Sequence, residues 1–140
     1  MSFLLDTNVV SEWVKPRPDS GVMQWVAEVD EDRAYLSVIT FAELRYGIER
    51  MTTGQRRKRV ADWLDDELPL RFEGRVIPID DRVANLCGRM IARSEAAGRR
   101  LEAMDALIAA TAEFHRLTLI TGNTADFEPV LKDIFNPWTT

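Results

Sequence analysis

Asp6 closes the apolar run Phe3-Leu4-Leu5 and is followed at once by Thr7 and Asn8. Three further acids stand in equally marked company: Glu43 in TFAELRYGIE, Asp105 in LEAMDALIAATAEF and Asp126 in TGNTADF. Drawn to one place, carboxylates repel and raise one another's pKa. A divalent cation relieves that repulsion. Oxygen-only donors with no imidazole among them suit Mg²⁺ or Mn²⁺ rather than zinc. Two such ions can hold the attacking and leaving oxygens of a phosphodiester, so the chemistry open to this set is metal-assisted phosphodiester hydrolysis.

Each acid also has a local explanation. Asp6 can serve a turn or a helix cap, as Asp, Thr and Asn all do. Thr40-x-x-Glu43 reads as a capping box. Asp105 shares an apolar stripe with Leu101, Ile108 and Ala112, at −4, +3 and +7 from it. An unpartnered carboxylate buried there is costly, and Asp is a poor residue for a helix interior; at the stripe's edge it reaches solvent instead. Asp126 fits the first turn of a short helix capped by Asn123, where the helix dipole favours an acid. Other chemistries have less to stand on. His115 is the only histidine and lies near a helix end, and Cys87 sits on an apolar helix face. A Ser-His or Cys-His nucleophile is therefore poorly supported, and there is no glycine-rich phosphate loop.

Four short apolar runs read as strands: Phe3–Leu5, Ala34–Val38, Arg75–Ile79 and Thr118–Thr121. Segments of helical period separate them. One is capped by Asp19 or Ser20 and carries Val22, Trp25, Val26 and Val29. One starts at Thr40, with Phe41, Leu44, Ile48 and Met51 on a face. One covers Gln55 to Leu68, one is capped by Asp80, and one runs from about Leu101 to His115. Strands alternating with helices predict an α/β fold with a parallel sheet covered on both faces. Ligands in such sheets sit beyond the carboxyl ends of the strands, where Asp6, Thr121 and Asn123 fall.

The length of 140 residues fits one domain, residues 1–140, with a core of its own. One cysteine excludes an internal disulfide and suits the cytosol. No apolar run approaches the roughly 20 residues of a membrane span, and the start lacks the form of a signal peptide. The net charge of −5 lacks the overall basic footprint of a nucleic-acid binder, although 15 of the 18 basic residues are Arg. The run Arg56-Arg57-Lys58-Arg59 is either a solvated helix face or a phosphate contact. Trp13, Trp25, Trp63 and Trp138 read mostly as helix-face anchors in core or interface.

Taken together, LLDTNVVSE, TFAELRYGI, MDALIAATA and LITGNTADF resemble a PIN domain, most of all the VapC/FitB group of bacterial toxins. The resemblance spans essentially the whole chain. It implies a three-layer α/β/α sandwich and a Mg²⁺- or Mn²⁺-dependent endoribonuclease that cleaves RNA with a cation-activated water. The family's catalytic acids fall on Asp6, Glu43, Asp105 and Asp126. Asp6, Asp105 and Asp126 would be metal ligands, and Glu43 would orient water or act as base. Thr7, Asn8, Thr121 and Asn123 match polar positions that orient water, acids or phosphate. Gly122 departs from the pattern, because relatives often carry Arg there. The resemblance also implies a homodimer, a cognate antitoxin that blocks the site, and DNA binding only through the toxin–antitoxin complex. Arg45, Arg56, Arg57, Lys58 and Arg59 are the candidates for gripping RNA or a partner. Two rivals stand beside this reading. One is a non-catalytic PIN-fold binding module. The other is an Asp-dependent phosphatase, which would want a second acid where this chain has Asn8.

Overall fold

A computed structural model describes residues 1–138. Five parallel strands form one sheet in the order β3-β2-β1-β4-β5: β1 Phe3–Leu5, β2 Ala34–Ser37, β3 Val76–Ile77, β4 Thr118–Ile120 and β5 Ile134–Phe135. Side chains alternate across the strands with period two, which gives each face its own apolar core. Leu4 and Leu119 pack on one side with Val83, Cys87, Met90, Ile108 and Phe127. Leu5, Leu36 and Ile120 pack on the other with Val9, Val22, Leu44, Leu64 and Phe72. The result is the expected α/β/α sandwich.

The first layer holds α1 (Thr7–Glu12), α2 (Ser20–Glu28), α3 (Val38–Glu49), α4 (Gln55–Asp62) and α5 (Leu68–Arg71). The second holds α6 (Asp81–Ala96), α7 (Ala103–Phe114) and α8 (Thr124–Phe127). Asp19, one of the two caps its sequence offers, caps α2 through the Val22 N–H, and Asp80 caps α6 through the Val83 N–H as expected. Glu12, an acid only 2% exposed, accepts from the Asp19 N–H at 2.8 Å and pairs with Lys15, tying the end of α1 to the start of α2.

Several local expectations are corrected. The cap of α3 is Ser37, not Thr40: the Ser37 hydroxyl accepts from the Ile39 N–H at 3.0 Å, and the helix begins at Val38. Ser37 has the extended backbone a cap needs, whereas Thr40 is already inside the helix and fully buried. The helix expected to end at Leu68 continues to Arg71 through a π-helical stretch at Trp63–Glu67. Pro69 has no N–H for the carbonyl four residues back, so regular α bonding cannot run through it. Strand β3 stops before Pro78 for the same reason. Asn123 precedes α8 but makes no side-chain cap bond. The helix α1 and the two-residue β5 are additional to the sequence reading; both are too short to show a period.

Candidate active site

The strand order puts β1 beside β4, and their carboxyl ends carry Asp6 and Thr121. Asp6, 5% exposed, is the N-cap of α1, and its Oδ1 accepts from the Thr7 N–H at 2.8 Å. Its Oδ2 accepts from the Thr121 hydroxyl at 2.7 Å. The capping role and the site role therefore belong to different oxygens of one carboxylate. Asn8, the second residue of α1, donates through Nδ2 to Thr121 Oγ1 at 3.3 Å and accepts through Oδ1 from the Gly122 N–H at 3.4 Å. The Asn123 N–H donates to Thr121 Oγ1 at 3.0 Å. These bonds lock the turn after β4 onto the start of α1.

Glu43 reaches the same place from α3. The Thr7 hydroxyl donates to Glu43 Oε1 at 2.5 Å and lies 3.2 Å from the buried hydroxyl of Thr40. Asp105 comes from the first turn of α7 and Asp126 from α8. Electrostatics tie the four together. Burial holds the Asp6 carboxyl above the usual carboxylate range; hydrogen bonds from Thr121 and Thr7 oppose this, and the charges of Glu43 and Asp126 add to it. Burial also raises Glu43, opposed by the Thr7 bond and reinforced by Asp105. Asp105 is raised by burial, then by the charges of Asp6, Asp126 and Glu102. Glu102, at the cap position of α7, was not marked in the sequence. Among the described residues, no ion pair joins Lys or Arg to Asp6, Glu43, Asp105 or Asp126. The edge runs from buried Asp6 to exposed Asp126 and, among the described residues, gathers negative charge that no ion pair offsets.

Three of the five basic residues singled out in the sequence are held in ion pairs on their own surface. Arg45 pairs with Asp65. Arg57 pairs with Glu49 at 3.3 Å, and Lys58 with Asp62 at 3.1 Å. Arg56 and Arg59 are exposed on α4. A different basic feature lies between α6 and the segment after α8. A cavity of about 350 Å³ is lined by Arg93, Ser94, Arg99 and Pro129, among others. The Arg82 guanidinium sits 5.1 Å over the Phe114 ring, pairing the start of α6 with the end of α7. The end of α6 and the start of α7 therefore also lie together. Arg93 and Arg99 flank the turn into the helix that carries Asp105, and Pro129 follows the helix that carries Asp126. Neither arginine has an ion-pair partner among the described residues.

Gly122 has a structural explanation. A Cβ at this position would lie 3.0 Å from Cε3 and Cζ3 of the Trp138 indole and 3.3 Å from Cδ2. The ring takes the space of a side chain at 122. Cys87 is buried and His115 exposed, stacked edge-on to Phe114 at 5.1 Å; neither joins the acids.

Residues 3–130 match the family model of the PIN domain. The chain is 36% identical to Toxin FitB of Neisseria gonorrhoeae over 96% of this chain and 97% of that protein. It is 38% identical to VapC ribonuclease Y4jK of Sinorhizobium fredii over 96% of each. A solved structure of FitAB bound to an IR36 DNA fragment superposes with a TM-score of 0.90 at 33% identity, covering 99% of this chain and 96% of that one. A toxin–antitoxin complex from Klebsiella pneumoniae superposes at 0.72 with 26% identity, covering 99% and 100%. With the parallel sheet, the acid-bearing edge and this likeness over nearly its full length, the chain belongs to the PIN-domain family and stands with its FitB and VapC proteins.

Proposed function

We propose that this protein is a divalent-metal-dependent endoribonuclease and the toxin of a toxin–antitoxin pair. The observation that carries the reading is the gathering of Asp6, Glu43, Asp105 and Asp126 at one sheet edge, within reach of one another's charge and with no ion pair to Lys or Arg among the described residues. The naming of relatives as a toxin and as a ribonuclease supports it.

The donor set fits a hard cation such as Mg²⁺ or Mn²⁺. Every candidate ligand is an oxygen, and the raised carboxyls mark charge that such an ion would relieve. Among the described residues no three acidic, histidine or cysteine side chains form a ready-made cage. Asp6, Asp105 and Asp126 thus do not stand as a closed set of ligands here, and an ion held by them would keep waters in its remaining positions. Asp6, Asp105 and Asp126 would hold the ion; when bound, it would supply the positive charge that the transition state of phosphodiester hydrolysis requires.

The protein groups divide the remaining work. Thr121 and Asn8 hold the turn against Asp6, so its carboxylate meets the ligand already oriented. Thr7 fixes Glu43 through Oε1, leaving Oε2 as the proton acceptor. A Glu raised toward neutral pH is better matched to general-base work than an ordinary one. Arg93 and Arg99 offer RNA phosphates two positive charges with no ion-pair partner among the described residues. Asn8, bound to Thr121 and Gly122, acts as scaffold rather than as the second acid of a phosphatase. In this reading the antitoxin places an Arg or Lys among the acids, DNA is bound only through the complex, and the toxin is a homodimer. Incubation of purified protein with end-labelled RNA and Mg²⁺ or Mn²⁺ tests it. Metal-dependent internal cuts, without release of phosphate from monoesters, are expected. Absence of cleavage with either ion would leave a binding module.

A further inference from the structure

Residues 131–138 lie beyond the stretch that matches the PIN-domain model, yet they pack against the turn that carries Thr121. The Thr121 N–H donates to the Phe135 carbonyl at 3.0 Å, so β5 holds the backbone of the turn that follows β4. Three residues later the Trp138 N–H donates to Asn136 Oδ1 at 2.9 Å, a local turn that sets the direction of the indole. The ring, half-buried, packs against the core that includes Leu5, Val9 and Ile120, and its edge fills the place of a residue-122 side chain. The turn Thr121-Gly122-Asn123 is thus held on two sides. Asp6 and Asn8 bind it from α1, and Trp138 covers its central glycine.

We propose that Trp138 is a positioning residue. Its indole, seated where any side chain at 122 would stand, clamps the Thr121-Gly122-Asn123 turn and so holds the Thr121 hydroxyl on Asp6. Gly122 and Trp138 are then a size pair: each is what the other permits. Every residue but glycine places a Cβ at 122, and a contact of 3.0 Å asks the ring to give by a few tenths of an ångström. The part of the proposal that concerns catalysis rests on the nuclease reading above; the clamp itself does not.

Backbone hydrogen exchange and RNA cleavage, measured on the full chain, separate the two. Trp138→Ala should speed exchange at the Thr121, Gly122 and Asn123 amides by about tenfold or more while the Leu4 and Ile108 amides keep their protection. Trp138→Phe, which keeps an aromatic ring, should restore most of the protection. Gly122→Ala should loosen the turn in the native background and add nothing in the Trp138→Ala background, the signature of a coupled pair. Cleavage by Trp138→Ala should fall in kcat by about tenfold or more with KM nearly unchanged, because the acids are misplaced rather than the RNA grip lost. Unchanged exchange at the turn, a uniform loss across the core, or equal effects of Gly122→Ala in both backgrounds would overturn the clamp. Loosened exchange with unchanged kcat would overturn its role in positioning. If the wild-type protein cuts no RNA, the nuclease reading fails, and the exchange cycle still decides the clamp.

Discussion

Asp6 gives one oxygen to an N–H at the start of α1 and the other to a hydroxyl at the end of β4. Both bonds favour the charged form, and burial together with neighbouring acids opposes it. Burial is the largest cause, so the carboxyl stays raised. Asp6→Asn and Asp105→Asn keep the shape and remove one repelling charge. Each should abolish RNA cleavage yet melt at or above the wild-type temperature in chelator. Mg²⁺ should raise the wild-type melting temperature, since a ligand of the native state alone stabilises it, and the variants should lose most of that rise. Equal destabilisation with and without metal, with cleavage retained, would return both acids to the scaffold. The pH dependence has a defined sign. Asp6, Glu43 and Asp105 bind protons more tightly folded than unfolded. Their contribution to stability is fully present below about pH 4 and is lost as pH rises through the raised folded values. In chelator, urea midpoints should show this component falling with rising pH, and Asp6→Asn should reduce the fall.

At the scale of elements, short pieces carry the site. The six-residue α1 presents Thr7 and Asn8, and its start is fixed by the acid it helps to position. The cap at Ser37 sets where α3 begins and hence where Glu43 points. Ser37→Ala should cost about 1 kcal/mol by chemical denaturation, the usual value of a lost cap. No change in stability would hand the cap back to Thr40. The antiparallel pair α6 and α7 brings Arg93 and Arg99 toward the side that carries Asp105. Arg93→Ala with Arg99→Ala should raise KM for RNA, leave kcat largely intact and flatten the salt dependence of binding. The same effects from Arg45→Ala and Arg57→Ala, with none from the first pair, would move the RNA path to α3 and α4.

For the molecule as a whole, a net charge of −5 is compatible with RNA as substrate, because the acids responsible for much of the local repulsion are the ones a cation neutralises. The exposed apolar residues Val38, Tyr46 and Met104 stand on α3 and α7, two of the elements that carry site acids; Tyr46 is 63% exposed. A two-fold dimer that covers part of this surface is the expected assembly. Light scattering at micromolar concentration should give twice the chain mass, and a monomer with the fold intact would rule the dimer out. Among the described residues, no helix is long and apolar enough to cross a membrane. Expression alone should slow growth, and co-expression of a small partner with a basic residue for the acidic edge should restore it. Unimpaired growth with abundant, metal-competent protein would remove the toxin role.

Period and composition by themselves determined the parallel α/β architecture, four of the strands and the cap at Asp80, and narrowed the cap of α2 to Asp19 or Ser20. These follow from local preferences, because a helix face or a capping side chain is written within a few residues. Motif resemblance singled out Asp6, Glu43, Asp105 and Asp126. Tertiary structure alone decided the rest. Between two residues able to cap α3 it chose Ser37, since burial and backbone direction select one of them. It placed α1 and β5, whose bonds come from neighbours distant in sequence rather than from any period of their own. It paired Arg45, Arg57 and Lys58 with acids of their own surface and left Arg93 and Arg99 by a cavity. It also explained Gly122, whose partner lies sixteen positions away: the space at 122 belongs to Trp138, a packing fact that no stretch of local sequence contains.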